Sequence, residues 1–144
     1  MAQSPHHIRQ ATCADLELMA SWTAHEGWNP GPHDIQVAFT LDPKGFWVSE
    51  HPEEGTLQGC ISGIRYPEAF AFIGYFLVAP HLRGGRIGPD LGARVLQDLD
   101  GWHLGMDGVE QKVEQYRHYG FRTAWNNVRH VGQVPCRPPS ATTP

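Results

Sequence analysis

The chain has 144 residues, 40% of them hydrophobic, and 11 Lys and Arg against 15 Asp and Glu give a formal charge of −4. That length suits one domain with a real core, and the composition excludes disorder throughout. The mild acidity argues against nucleic acid or an anionic membrane as partner, no run nears the ~18 apolar residues of a membrane span, and the start lacks a signal-peptide core, so a cytoplasmic location is expected.

In chain order, residues 1–7 read as a loose start and residues 8–11 as a first short strand. Thr12 or Asp15 then caps a helix whose core face carries Leu16, Leu18, Met19 and Trp22. The next ten residues, from His25 and Glu26 through Trp28 and Asn29 to His33 and Asp34, are dense in turn formers yet retain polar and aromatic side chains. Two readings stand side by side. In one, Trp28 lids the core and Asp34 caps a helix through Val37, Phe39 and Leu41; in the other the segment is a binding loop whose Glu26 and Asp34 face a cationic amine. An H-E-x-x-H zinc helix is excluded, because Asn29 stands in the second histidine's place.

Residues 46–49 and 57–64 read as a β-hairpin closed by a polar turn, and residues 65–68 turn into the next strand. Phe70–Val78 is an apolar, aromatic and β-branched run bounded by Pro80, which predicts a strand buried on both faces. A helix follows from Gly88 or Pro89, with Leu91, Val95, Leu96 and Leu99 at helical spacing. Residues 102–106 read as a short strand, and Asp107 and Gly108 introduce a helix over 109–118. Gly120 closes it as a left-handed cap, and residues 121–131 supply the last strand. Prolines, serine and threonines make 132–144 a flexible tail. The order is mixed α/β: one domain over 1–131, with a mixed central β-sheet flanked by helices.

Cys13, Cys60 and Cys136 are odd in number and lack C-x-x-C spacing, which fits reduced thiols, with Cys60 in the core. His6 and His7 have no carboxylate or cysteine at ligand spacing, so no metal is expected.

The passage from strand to helix at residues 78–89 is where chemistry concentrates. First-turn N–H groups of a helix lack carbonyl partners, its dipole adds partial positive charge, and glycines let an anion approach the backbone. Arg83 and Arg86 add full charges; the plainer reading is a tight turn with solvated arginines. A triphosphate loop is excluded by its missing lysine, and a dinucleotide fingerprint needs G-x-G-x-x-G directly after the strand.

Arg83, Gly84, Gly85, Arg86, Ile87 and Gly88 resemble motif A, [RQ]-x-x-G-x-[GA], of the GNAT superfamily of acetyl-CoA-dependent N-acetyltransferases. Arg86 stands at that motif's central glycine, with Gly85 one step earlier. Tyr116, Arg117, His118, Tyr119, Gly120 and Phe121 reproduce the tyrosine, three residues, then Gly-Phe that end the family's fourth helix, so the resemblance covers residues 46–131.

The resemblance implies a GNAT fold and acetyl-CoA as cosubstrate, bound by the six loop residues. It places the backbone N–H of Leu77 or Val78 on the thioester carbonyl and Tyr116 as general acid, its neutral phenol near pKa ~10. The amine must lose a proton before it attacks directly in a ternary complex; Glu26 is the first candidate base, then Asp34 and Asp107, with His25 and His33 also in reach of such a role. Trp28, Asn29, His33, Asp34 and Asp107 are the candidate amine-site residues. The neighbourhoods of Trp28 and Asp107 also resemble a GNAT branch whose members can carry a second acyltransferase-like domain; a single domain is expected here.

The expected activity is acetyl transfer to a primary amine on a small molecule. A non-catalytic acyl-CoA-binding module and a protein-modifying acetyltransferase are its rivals, and a homodimer is left open.

Overall fold

Strand-forming runs pair in chain order in this structure, a computed structural model that describes residues 5–133. Cys136 and most of the expected tail lie outside those residues. The chain divides into two compact units, the first ending at Asp107 and the second beginning at Gly108.

In the first unit β1 (His7–Gln10), β2 (Phe46–Glu50), β3 (Leu57–Tyr66), β4 (Phe70–Val78) and β5 (His103–Met106) form a sheet in the order β1-β2-β3-β4-β5. The first four are antiparallel neighbours; β5 joins β4 in parallel after a helical crossover, α3 (Ile87–Asp98). Helices α1 (Leu16–His25) and α2 (Asp34–Leu41) precede β2.

Two cores result. On one face Phe46, Val48, Cys60, Ile64 and Leu77 meet Leu16, Met19 and Ile35 of α1 and α2. α3 turns its buried Ile87, Leu91 and Val95 inward, and a Cβ at Gly63 would lie only 2.7 Å from Leu99 Cδ1. A glycine in β3 thus lets the helix end pack close. Arg65 ties these layers together: its guanidinium bonds Asp42 at 3.0 Å, pairs with Asp98 and stacks over the Trp102 ring.

Several sequence expectations need correction. β4 is not uniformly buried: Ala71, Ile73 and Leu77 are buried while Phe70, Phe72 and Phe76 are half-exposed. The helix expected through Val37, Phe39 and Leu41 forms as α2, with Ile35, Ala38 and Phe39 against the core and Val37 and Leu41 exposed. Leu18 of α1 is likewise exposed. Asp34 is the first residue of α2 rather than its cap, and its carboxylate accepts the Gly31 N–H at 2.8 Å.

The second unit carries α4 (Val113–His118), preceded by a 3-10 turn at Glu110–Lys112. Gly120 follows with φ of 91°, the left-handed cap its position predicts. Residues 121–131 form no strand: Trp125, Val128 and Val131 are exposed, Val131 at 92%, so no burial rewards an extended pairing.

Candidate active site

β4 stays paired with β5 only from Phe70↔His103 to Ile73↔Met106. Beyond that, residues 74–78 keep β3 on one side and leave their other edge to the gap. The same stretch is bulged: Ser62 pairs with Gly74 but Cys60 pairs with Leu77, so two steps of β3 meet three of β4. Tyr75 takes up the extra residue with φ of 49°, a left-handed conformation uncommon in a non-glycine. Its carbonyl accepts the Cys60 thiol at 3.1 Å. Cys60 is fully buried, and burial pushes its thiol up to about 12, against the Leu77 N–H that faces the sulfur.

Hydrogen-bond alternation then decides which backbone groups are free. The Ala79 N–H donates to the Gln58 carbonyl at 2.9 Å, and Gly59 lies opposite Val78. Antiparallel pairs alternate, so Val78 points its N–H and carbonyl away from β3 while Leu77 points its own into the ladder. The Val78 carbonyl accepts Arg83 Nε at 2.9 Å; its N–H faces the edge that β5 has left. Of the two expected donors, Val78 presents the open one.

A 3-10 turn, Pro80–Leu82, leads from β4 to the glycine loop. Gly84 has φ of 84°, which demands glycine. α3 begins at Ile87, and among the described residues no side chain caps it: Arg86 occupies the N-cap position with its own guanidinium paired to Asp90 at 2.8 Å. Its first-turn donors therefore remain a ready anion cradle. His6 reaches the other carboxylate oxygen of Asp90 at 3.0 Å. Arg83 pairs with Glu26 across 57 positions of sequence.

A Cβ at Gly88 would meet Val78 Cγ2 at 3.6 Å, an ordinary contact. The protein's own packing gives no reason for glycine there.

On the α1–α2 side, Trp28 packs partly buried against the core and Asn29 has φ of 50°. His33 occupies the N-cap position of α2, and His25 Nδ1 lies 2.7 Å from the Ser21 carbonyl. The Tyr75 phenol, half-buried and ringed against Phe46, is raised above its ordinary value by burial and then by the charges of Asp34 and Tyr66. Tyr75 was invisible to sequence reading, because within an apolar run nothing distinguishes it from a core aromatic. Glu26 is not a free carboxylate here, and Asp107 closes the first unit just beyond β5.

In the second unit Tyr116 is half-buried, and burial raises its phenol. A Cβ at Gly108 would lie 2.7 Å from Tyr116 Cε2, so the ring rests on a glycine backbone. The Phe121 N–H donates to the Tyr116 carbonyl at 3.2 Å. Among the described residues no group of three His, Cys, Asp or Glu is placed to hold a metal, and no helix is long and apolar enough to cross a membrane.

A family model described as the acetyltransferase (GNAT) family matches residues 13–121. The chain belongs to the GNAT family. The domain is 28% identical over 124 residues to the holothin acyltransferase of Pseudoalteromonas sp. (strain SANK 73390), covering 86% of this chain and 42% of that one.

Among solved structures it resembles the N-acetylglutamate synthase of Neisseria gonorrhoeae complexed with coenzyme A and N-acetyl-glutamate, with TM-score 0.67 at 22% identity over 86% of this chain and 30% of that one. It also resembles a Trypanosoma brucei acetyltransferase, with TM-score 0.64 at 18% identity over 88% and 99% of the two chains. Identities at that level speak for the fold. The GNAT domain spans less than half the length of the holothin acyltransferase and of the synthase.

Proposed function

We propose that this GNAT domain transfers an acetyl group from acetyl-CoA to a primary amine of a small molecule, by direct attack in a ternary complex. The observation that carries the reading is the bulged end of β4 running, through a glycine loop, into an uncapped helix N-terminus. Gly84, Gly85, Arg86, Ile87 and Gly88 offer backbone donors and a guanidinium to a diphosphate. A coenzyme-A complex of the N-acetylglutamate synthase, which shares this fold, supports that choice of acyl donor.

The chemistry follows from the groups present. A free alkylamine is mostly protonated at neutral pH and must lose a proton before attack. Glu26 is engaged by Arg83, so Asp34, whose charge reaches the Tyr75 phenol, is the carboxylate assigned to draw that proton off through water. Trp28, Asn29 and His33 are assigned with it to the amine site. The Val78 N–H, turned away from β3, stabilises the developing oxyanion. Tyr116 keeps its proton at neutral pH and gives it to the departing thiolate. Asp107 is assigned to the amine side.

Titrating the protein with coenzyme A, then measuring free thiol released from acetyl-CoA with a panel of primary amines, tests the reading. Saturable binding and turnover on at least one amine are expected. Binding with no turnover on any amine would make the domain a coenzyme-binding module, and no binding at millimolar coenzyme would remove the reading altogether.

A further inference from the structure

Glu26 sits at the C-cap of α1, where a helix dipole disfavours a negative charge. It is followed by Gly27 with φ of 73° and then by Trp28 and Asn29, so nothing in the helix itself calls for a carboxylate at this point. Its partner explains it. The Arg83 guanidinium pairs with Glu26 on one side and donates from Nε to the Val78 carbonyl at 2.9 Å on another. A planar fork held by two acceptors on different elements has a fixed orientation. Arg83 immediately precedes Gly84, the first left-handed residue of the anion loop.

We propose that Glu26 is a positioning residue: through Arg83 it sets the coenzyme loop against the end of β4, and so couples the α1–α2 segment to coenzyme binding. The inference rests on the acetyl-transfer reading for its ligand, and it departs from what the sequence resemblance implied in two assignments. Arg83 is a pin between elements rather than a direct phosphate contact, and Glu26 is not the base. Both side chains are partly exposed, Arg83 at 47% and Glu26 at 32%. Exposed pairs add little to global stability. The consequence therefore belongs to the loop: Gly84 to Gly88 lose their preset geometry when the pin is cut, while the sheet stays folded.

A double-mutant cycle reads this out. Coenzyme A dissociation constants are measured by calorimetry for wild type, Glu26→Gln, Arg83→Ala and the double variant, beside thermal midpoints and hydrogen exchange of the Gly84 to Gly88 amides in coenzyme-free protein. A pin predicts that each single change weakens coenzyme A by roughly tenfold and that the double change adds nothing further. Thermal midpoints stay near wild type, and loop amides exchange faster in Glu26→Gln.

Weakening by Arg83→Ala alone, with Glu26→Gln at wild-type affinity, would overturn the pin and make Arg83 a direct ligand. Unchanged coenzyme affinity in Glu26→Gln, with a lowered kcat and a displaced acidic limb in its pH profile, would restore Glu26 as the base. Should wild type bind no coenzyme A, the acetyl-transfer reading falls separately. The amide exchange would still decide the pin, faster exchange sustaining it and unchanged exchange ending it.

Discussion

The Cys60 thiol donates to the Tyr75 carbonyl at 3.1 Å, across the register shift that bends β4 away from a regular ladder. A bulge leaves a backbone carbonyl without its ladder partner, and an orphaned buried carbonyl costs about 1–3 kcal/mol. Cys60→Ala should lower unfolding free energy by that order in urea melts, and Cys60→Ser, which keeps a donor, should recover part of it. Because burial pushes the thiol up to about 12, a thiolate-directed alkylating agent should label exposed Cys13 in native protein and leave Cys60 untouched. Equal labelling rates for the two, followed by peptide mass mapping, would contradict the buried assignment.

Acid should weaken the fold through Asp15. Burial pushes its carboxyl up, but the bonds from the Arg9 guanidinium and from Thr12 outweigh that, and the folded value lies below the ordinary one. A carboxyl depressed in the folded state contributes stability that is complete above the unfolded value, about 3.9, and is lost as pH falls through the folded value. Arg9 holds Asp15 at 2.8 Å and Glu50 at 2.7 Å. Arg9→Ala should therefore be less stable than wild type at neutral pH, with a smaller further loss on acidification below about pH 4. Parallel stability curves for the two proteins would remove Asp15 from the acid response.

How much of this was readable beforehand depends on where each feature's information lies. The strand, loop and helix around Arg83 are local: an apolar run ended by Pro80, glycines, then helical spacing from Leu91 to Leu99, and they stand where the sequence places them. The α3 boundary differs by a residue or two, as helix ends do. Non-local features left no trace. The bulge at Tyr75 is a matter of register against β3, and the Glu26–Arg83 pair joins residues 57 positions apart. Which face of α2 meets the core is not legible in the sequence, because Ile35, Val37, Phe39 and Leu41 are all apolar, and only packing buries Ile35 with Phe39 against it while Val37 and Leu41 stay exposed. Residues 121–131 look strand-like in composition, yet Trp125, Val128 and Val131 are exposed, and a strand needs burial and a partner as well as the residues for it.

Tyr116→Phe tests the proposed proton donor. The phenyl ring retains the contact over Gly108, so stability should stay near wild type. Removal of a general acid costs on the order of 100-fold in kcat, while coenzyme A affinity should not change. Burial raises the phenol, so in wild type the alkaline limb of the kcat profile should fall above the ordinary value of about 10. Loss of coenzyme affinity equal to the loss of kcat would reject the acid role.

Gly88 separates what the fold needs from what the ligand needs. A Cβ there meets Val78 Cγ2 at 3.6 Å, which the sheet tolerates. Replacing glycine by alanine inside a helix typically adds up to ~1 kcal/mol of stability. Gly88→Ala should thus melt at or above the wild-type temperature while binding coenzyme A more weakly. Gly88→Glu adds a negative charge beside the expected diphosphate and should reduce affinity further, with high salt relieving part of the difference by screening. Opposite movement of thermal midpoint and coenzyme affinity in Gly88→Ala is the signature sought by melting and calorimetry on the same preparation. If both variants bind coenzyme A as wild type does, the diphosphate lies away from the start of α3, and the glycine at 88 answers to something other than the coenzyme.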